Sequence, residues 1–390
     1  MVRHASLFSQ LIAFFDRNKF MQLVMKHQTE RYSKGFKSWN HFVSMLFCQV
    51  AQAKSLREIS GGLACCVGKL RHLGVSDAPS KSTLSYANKN RSWKLYRDLF
   101  YDTFDFCRKA SPGKHKFRFK NKLLSLDSTT ISLCLNLFPW AEFRRTKGAV
   151  KLHLLLDHDG YLPSYAYISN GKKHDSTYAK KFPVAPGSII TMDRGYTNYK
   201  LFAFWTAQDI YFVTRLKENA RYEVLSRREL PQNRNILSDE TIKFTGYYAR
   251  KKCPVPLRRI VVWDAENQRE IILLTNHDKF GSTTIAKIYK DRWQIELFFK
   301  AIKQNLRIKT FVGTSENALY IQIWTALIAM LLIKFLQLKS KFGWSLSNLV
   351  AFLRWNLFSY KDLWAWLDKP FETIPEIPPP LQMQLPLKGI

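Results

Sequence analysis

Acidic residues are scarce in this chain. Its 390 residues include 30 Asp and Glu against 61 Lys and Arg, a formal net charge of +31. The excess is spread along the whole chain rather than held in a tail, and it points to a polyanionic partner. A membrane surface would also attract such a charge, but a long basic groove for DNA accounts better for an even spread. Metal-binding cysteine patterns are missing as well. The six cysteines contain no Cys-x-x-Cys spacing, which argues against zinc, and the Cys65–Cys66 pair in an apolar stretch is expected to be buried thiol in a reducing compartment. Long apolar runs are absent too. The most apolar stretch, Ala318 to Ile333, is interrupted by Gln322 and Thr325 and is short for a membrane span, so a buried helix is expected. The amphipathic, charged N-terminus predicts no secretory leader, and the expected location is cytoplasmic, without a membrane partner. His153, His158 and His174 lack metal-ligand spacing and Ser128 has no evident base, so a hydrolase triad is a poor account.

What is present falls into a helical part and a mixed part. Leu7 to Phe20, His41 to Ala53 and Trp93 to Cys107 show helix-period apolar spacing. Ser55 followed by Glu58 is a capping-box pattern. After Pro79, the segment Ser80 to Arg91 reads as a short polar, basic helix. A capped helix, a turn and an exposed helix carrying Lys81, Ser82, Thr83 and Arg91 is what a helix-turn-helix reader of DNA requires; a plain helical domain with a solvated face is the other reading. The period then changes. Leu123 to Ile131, Val150 to Leu156, Leu162 to Ile168, Ser188 to Met192 and Tyr211 to Leu216 read as strands, with a helix at Tyr199 to Ala207. The step Asp159-Gly160 signals a hairpin, making Asp157 and Asp159 turn residues. Strands continue through about residue 280, with a hairpin joining Ile260–Trp263 to Glu270–Leu274. Apolar helices follow from 312 to 366, where Trp344, Trp355, Trp364 and Trp366 are most simply core residues. The proline-rich tail from Pro370 is expected to be extended or disordered.

Three acids stand out. Asp127 lies inside an apolar strand, where a carboxylate costs free energy unless it bonds locally with Ser128 and Thr129 or holds a metal. Asp193 ends a short strand and is followed by Arg194-Gly195-Tyr196, a common turn and equally a common place for a site residue. Glu296 sits in Ile288 to Lys303, which has no Pro or Gly and reads as one amphipathic helix. Tyr289, Arg292, Glu296 and Lys303 fall within an arc of roughly 60° at about 100° per residue. Arg292 and Lys300 at i±4 from Glu296 also read as ordinary surface ion pairs.

The order Tyr, two residues, Arg, three residues, Glu, six residues, Lys, with Trp293 after the Arg, resembles the Tyr-Arg-Glu-Lys signature of the DDE transposases of bacterial insertion sequences, those of the insertion sequence four family. The blocks around Asp193 and the Ser55–Glu58 opening resemble the same family. The resemblance implies an α/β (α+β) fold: an RNase H-like mixed sheet as catalytic core with a β-rich insertion, preceded by an all-helical DNA-binding domain. The expected divisions are 1–115 (helical, DNA-binding, with a helix-turn-helix-like segment), 116–216 (first part of the core), 217–281 (β-rich insertion), 282–345 (second part of the core) and 346–390 (C-terminal helices and tail). By resemblance Asp127, Asp193 and Glu296 are catalytic and hold two Mg²⁺ ions, with Mn²⁺ as a possible substitute. Tyr289, Arg292, Lys300, Lys303 and Arg194 would contact double-stranded DNA, and Trp263 would stack on a flipped base or else be a core tryptophan. The implied activity is cut-and-paste transposition through hairpin ends, by a homodimer on DNA associated with the bacterial nucleoid. A nuclease of the same architecture that does not join DNA, and a DNA-binding repressor, are the alternatives.

Overall fold

Strand β1 (Leu123–Leu133) is the axis of the molecule, which a computed structural model describes for residues 5–31, 33, 35–66, 68–110, 116–144, 147–170, 175–232 and 234–372. The other strands are β2 (Glu142–Arg144), β3 (Lys147–Asp157), β4 (Leu162–Asn170), β5 (Ile189–Met192), β6 (Tyr211–Arg215), β7 (Tyr222–Arg227), β8 (Ile236–Phe244), β9 (Leu257–Asp264) and β10 (Arg269–Thr275). β3 runs antiparallel to β1 and β4 antiparallel to β3, while β5 and then β6 lie parallel on the other side. The order β4-β3-β1-β5-β6, antiparallel then parallel, is that of an RNase H-like sheet. β10, β9, β8 and β7 continue it from β6, so the strand-rich stretch after residue 217 extends the same sheet.

Helices α1 (Leu7–Ile12), α2 (Arg17–Lys26), α3 (Ser38–Val50), α4 (Leu56–Ala64), α5 (Lys81–Asn90) and α6 (Lys94–Ala110) precede the sheet. The stretch from Leu7 to Phe20, expected as one helix, is two, because the Asp16 carboxylate accepts from the Asn18 and Lys19 amides and starts α2 afresh. Within the sheet region lie α7 (Ser176–Ala179), α8 (Tyr199–Ala207) and α9 (Tyr247–Lys252). After it come α10 (Ser282–Asp291), α11 (Trp293–Asn305), α12 (Glu316–Lys339), α13 (Leu346–Trp355) and α14 (Leu363–Asp368).

Alternation along the strands divides the packing. Leu124, Leu126, Ile190 and Met192 face a core closed by α8 and α9, whereas Leu123 and Ile189 share a core with Ile285 and Ile288 of α10. A third core joins α1–α6, α11, α12 and the C-terminal helices to β3 and β4. Its centre is α12, the only helix among the described residues long and apolar enough to cross a membrane; its apolar window is 89% buried within the protein. The β3–β4 turn follows its Asp-Gly signal. Gly160 takes φ +81, and a Cβ there would meet Leu338 of α12 at 2.9 Å.

Two burial expectations need correction. Trp344 and Trp366 are core residues, but Trp355 is exposed and Trp364 partly so, because α13 and α14 present one face to solvent. Of the cysteine pair, Cys66 is buried and Cys65 exposed, since Cys65 caps the end of α4 and its side chain leaves the apolar face. His174 and residues 373–390 lie outside the described residues.

Candidate active site

Two of the three acids are neighbours in the sheet. The parallel ladder between β1 and β5 ends at Leu126 opposite Met192, so Asp127 and Asp193 are the next pair along it. Being two and four residues on from Ser125 and Leu123, and from Thr191 and Ile189, both side chains face the α10–α11 side. Glu296 is in the first turn of α11, whose helix rests on β1: Lys303 Nζ donates to the Thr130 carbonyl at 3.2 Å.

The electrostatics of the three are coupled. Asp127 is largely buried, and desolvation pushes its carboxyl up to about 6. The Ser128 amide, donating to Oδ1 at 2.8 Å, and Arg292 oppose that rise, while Glu296 and Asp193 add to it by repulsion. Glu296 accepts from Arg292 Nη2 at 2.7 Å, and the Arg292 guanidinium lies 5.5 Å from the Tyr289 ring centre. Burial raises the Tyr289 hydroxyl, and Asp193 adds to the rise against Arg292 and Arg215. Tyr289, Arg292 and Glu296 thus form one connected row above the two strand acids. Arg215, at the end of β6, belongs beside them and was not anticipated; its place at a parallel strand end, like that of Asp193, was the available signal.

The acids do not close to ligand distances. Among the described residues no three His, Cys, Asp or Glu side chains are grouped tightly enough to hold an ion. Like charges repel, and Glu296 takes the guanidinium instead. The donor set still fits a hard divalent cation: three carboxylates, one of them raised by burial and further by the other two.

The helix carrying Glu296 is not the single helix expected. Its ladder tightens at Arg292, where the Arg292 amide donates to the Tyr289 carbonyl and the Ile295 amide to the Arg292 carbonyl, both three-residue steps. No Pro or Gly marks the place. One residue earlier, Asp291 is tied into tertiary contacts. This buried carboxylate accepts from His158 Nδ1 at 2.6 Å and from the Tyr161 hydroxyl at 3.2 Å, and it pairs with Lys116. His158 Nε2 is in turn 2.6 Å from the Ser125 hydroxyl. The order Ser-His-Asp is that of a hydrolase triad, but Ser125 is 0% exposed, so its oxygen meets no substrate.

The remaining candidates are scattered. Lys300 is exposed on α11. Arg194 donates to the exposed Glu218 at 2.5 Å, a pair worth little in water. Trp263 is the penultimate residue of β9, half-buried. Register carries Asp193 level with Arg215, Leu273 and Ile260, which puts Trp263 about 14 Å across the sheet and about 10 Å beyond its carboxylate end. Alternation with Ile260 and Val262 turns it to the face opposite α10. The β9–β10 hairpin meets α10 at the surface, where Glu266 accepts from Lys290 at 3.1 Å. Lys81, Ser82 and Thr83 open α5, which Ser80 caps at 3.1 Å. Arg91, expected on DNA, is drawn inward instead. Its guanidinium donates to the Lys37 carbonyl at 2.9 Å and to the Phe36 carbonyl, against the Phe36 ring, sharing these acceptors with the His41 amide and the Ser33 hydroxyl. The α4–α5 connection is also longer than a tight turn, with a 3₁₀ turn at Leu70–Leu73.

Sheet order, the neighbouring acids of β1 and β5 and the row across the α10–α11 junction fit an RNase H-like enzyme of phosphoryl transfer. Residues 118–332, more than half of the chain, match the family described as Transposase DDE domain, and the chain belongs to that family. Residues 3–76 match a second family, described as a domain of unknown function (DUF4372). The probable transposase for insertion sequence element IS5377 of Geobacillus stearothermophilus is 30% identical over 70% of this chain and 72% of its own length. The protein y4zB of Sinorhizobium fredii, provisionally named a transposase, is 31% identical over 66% and 71%. A solved piggyBac transposase synaptic complex with hairpin DNA covers 95% of this chain and 81% of its own, at 13% identity and a TM-score of 0.43. The protein is therefore a DDE transposase of the insertion-sequence type, an enzyme of DNA cleavage and strand transfer that depends on divalent metal.

Proposed function

We propose that Asp127, Asp193 and Glu296 are the catalytic acids and that they hold Mg²⁺, two ions in the working complex, with Mn²⁺ as a substitute. The observation that carries this reading is the register of β1 and β5, which sets Asp127 beside Asp193 on the face that α11 covers. Asp127, Asp193 and Glu296 would hold the ions, which would supply activation of the attacking oxygen and neutralisation of charge on the leaving one. The chain's own part is to hold the acids on a rigid sheet and to line up phosphates. Arg292, freed as Glu296 turns from it, offers a bidentate fork to a phosphate of the transposon end. Tyr289, Lys303, Lys300 and Arg194 supply further donors to the same backbone, and Trp263 stacks on a flipped base beyond the sheet end.

Residues 1–115 are proposed as the DNA-binding domain for the terminal inverted repeats. Lys81, Ser82 and Thr83 face the groove, and Arg91 braces α5 from behind. Residues 217–281 are the β insertion within the core, and 346–390 an accessory segment. The enzyme works as a homodimer on two DNA ends in the nucleoid of the bacterial cytoplasm, by cut-and-paste through hairpin ends.

A plasmid carrying the element's ends tests this. With Mg²⁺ the enzyme yields excised element, hairpin ends and strand-transfer products, and Glu296→Gln yields none of them while still shifting the end DNA. Cleavage without joined products would favour the nuclease reading.

A further inference from the structure

We infer that Asp291 and His158 are positioning residues: the buried chain Ser125–His158–Asp291 locks the α10–α11 junction to β1 and so sets the direction of Arg292 and Glu296. The inference rests on the proposed role of Glu296.

The chain joins the two elements that carry the acids by a short route. Ser125 is two residues before Asp127 on the same face of β1, and Asp291 is the residue before Arg292. Between them stands one imidazole, with 2.6 Å contacts at both nitrogens. His158 itself is held by the β3–β4 turn, whose Tyr161 also donates to Asp291. Lys116, on the segment leading into β1, adds a cation to the same carboxylate. Two other stretches of chain, the β3–β4 turn and the segment before β1, therefore meet on Asp291, and β1 joins them through His158. A buried carboxylate held this way adds little net stability over an apolar substitute, so its distinctive contribution is directional. The tightened turn at Arg292 adjoins this anchor: Asp291 ends α10, and α11 restarts with Glu296 in its first turn, over β1.

A role of this kind shows in turnover more than in DNA binding. Misplacing a reacting group by about 1 Å costs on the order of 100-fold in rate. Asp291→Asn and His158→Gln are each expected to lower the single-turnover cleavage rate by about 100-fold, with affinity for end DNA within about threefold of wild type. The double variant is expected to be no slower than either single one, because both break one link. Ser125→Ala, which removes one hydrogen bond, is the milder probe should the others fold poorly, with a loss of about fivefold. Amide hydrogen exchange of the metal-free protein supplies a readout apart from activity: residues 282–305 should exchange faster in Asp291→Asn while α12 stays unchanged. Wild-type cleavage in both single variants would overturn the inference, as would faster exchange spread evenly over the chain. Glu296→Gln in the same assay separates the two claims. If it is inactive while Asp291→Asn is normal, only the positioning role fails. If it cuts DNA, the catalytic reading fails first.

Discussion

Asp127, part-buried on β1, and Asp291, buried at the end of α10, are carboxylates whose surroundings have opposite signs. Burial pushes both up. At Asp291, His158 and Lys116 outweigh burial and hold the carboxyl below its ordinary range. At Asp127 burial wins, and two further acids strengthen it, giving about 6. One carboxylate has cationic partners within the chain that outweigh its burial; at the other they do not. That difference separates a strut from a ligand in a way that burial alone does not.

The largest effect that sharpens this contrast is on catalysis. Asp127→Asn, Asp193→Asn and Glu296→Gln are each expected to lower DNA cleavage by at least about 1000-fold with end binding retained, as measured by gel assays on end fragments.

Stability gives the comparison its sign. In chelator, at a pH above about 6, the folded protein must ionise Asp127 at a cost the unfolded chain does not bear. Asp127→Asn should therefore raise the unfolding free energy by up to about 3 kcal/mol. The gain should shrink as pH falls from about 6 and vanish below about 4, where the carboxyl is protonated in both states. Asp291→Asn should do the reverse and lose about 1 kcal/mol or more near neutrality, since it weakens buried hydrogen bonds from His158 and Tyr161. Urea unfolding at pH 8 and pH 4 checks both. Equal signs for the two variants would break the contrast.

Smaller effects test the basic residues. Lys303→Ala should weaken end binding and reduce the salt dependence of its affinity by about one unit of slope. Arg91→Ala should leave that slope unchanged and cost about 2 kcal/mol of stability, because its bonds run to backbone carbonyls rather than to phosphate.

Much of the sheet was legible because strands announce themselves by apolar and β-branched runs and the β3–β4 turn by Asp159-Gly160. Helix α8 matched its expected bounds for the same reason, with Asn198 capping it at 3.3 Å. Asp127 and Asp193 could be picked out one by one, yet only the ladder between β1 and β5 makes them neighbours. The strut was illegible. Its members lie 33, 133 and 175 residues apart in sequence, and none has an unusual local pattern. Searching for a base beside Ser128 missed that Ser125, one turn of alternation earlier on the other side of Asp127, had one. The break at Arg292 was hidden likewise, since no helix-breaking residue marks it. Arg91 looked like a phosphate ligand because its sequence neighbours are polar, while the carbonyls that claim it belong to the loop before α3.

Calorimetric titration of the metal-free transposase with Mn²⁺ tests the central claim most directly. Wild-type protein should take up the ion with release of protons near pH 6, and Asp127→Asn should show neither. Equal uptake by the two proteins would contradict the account.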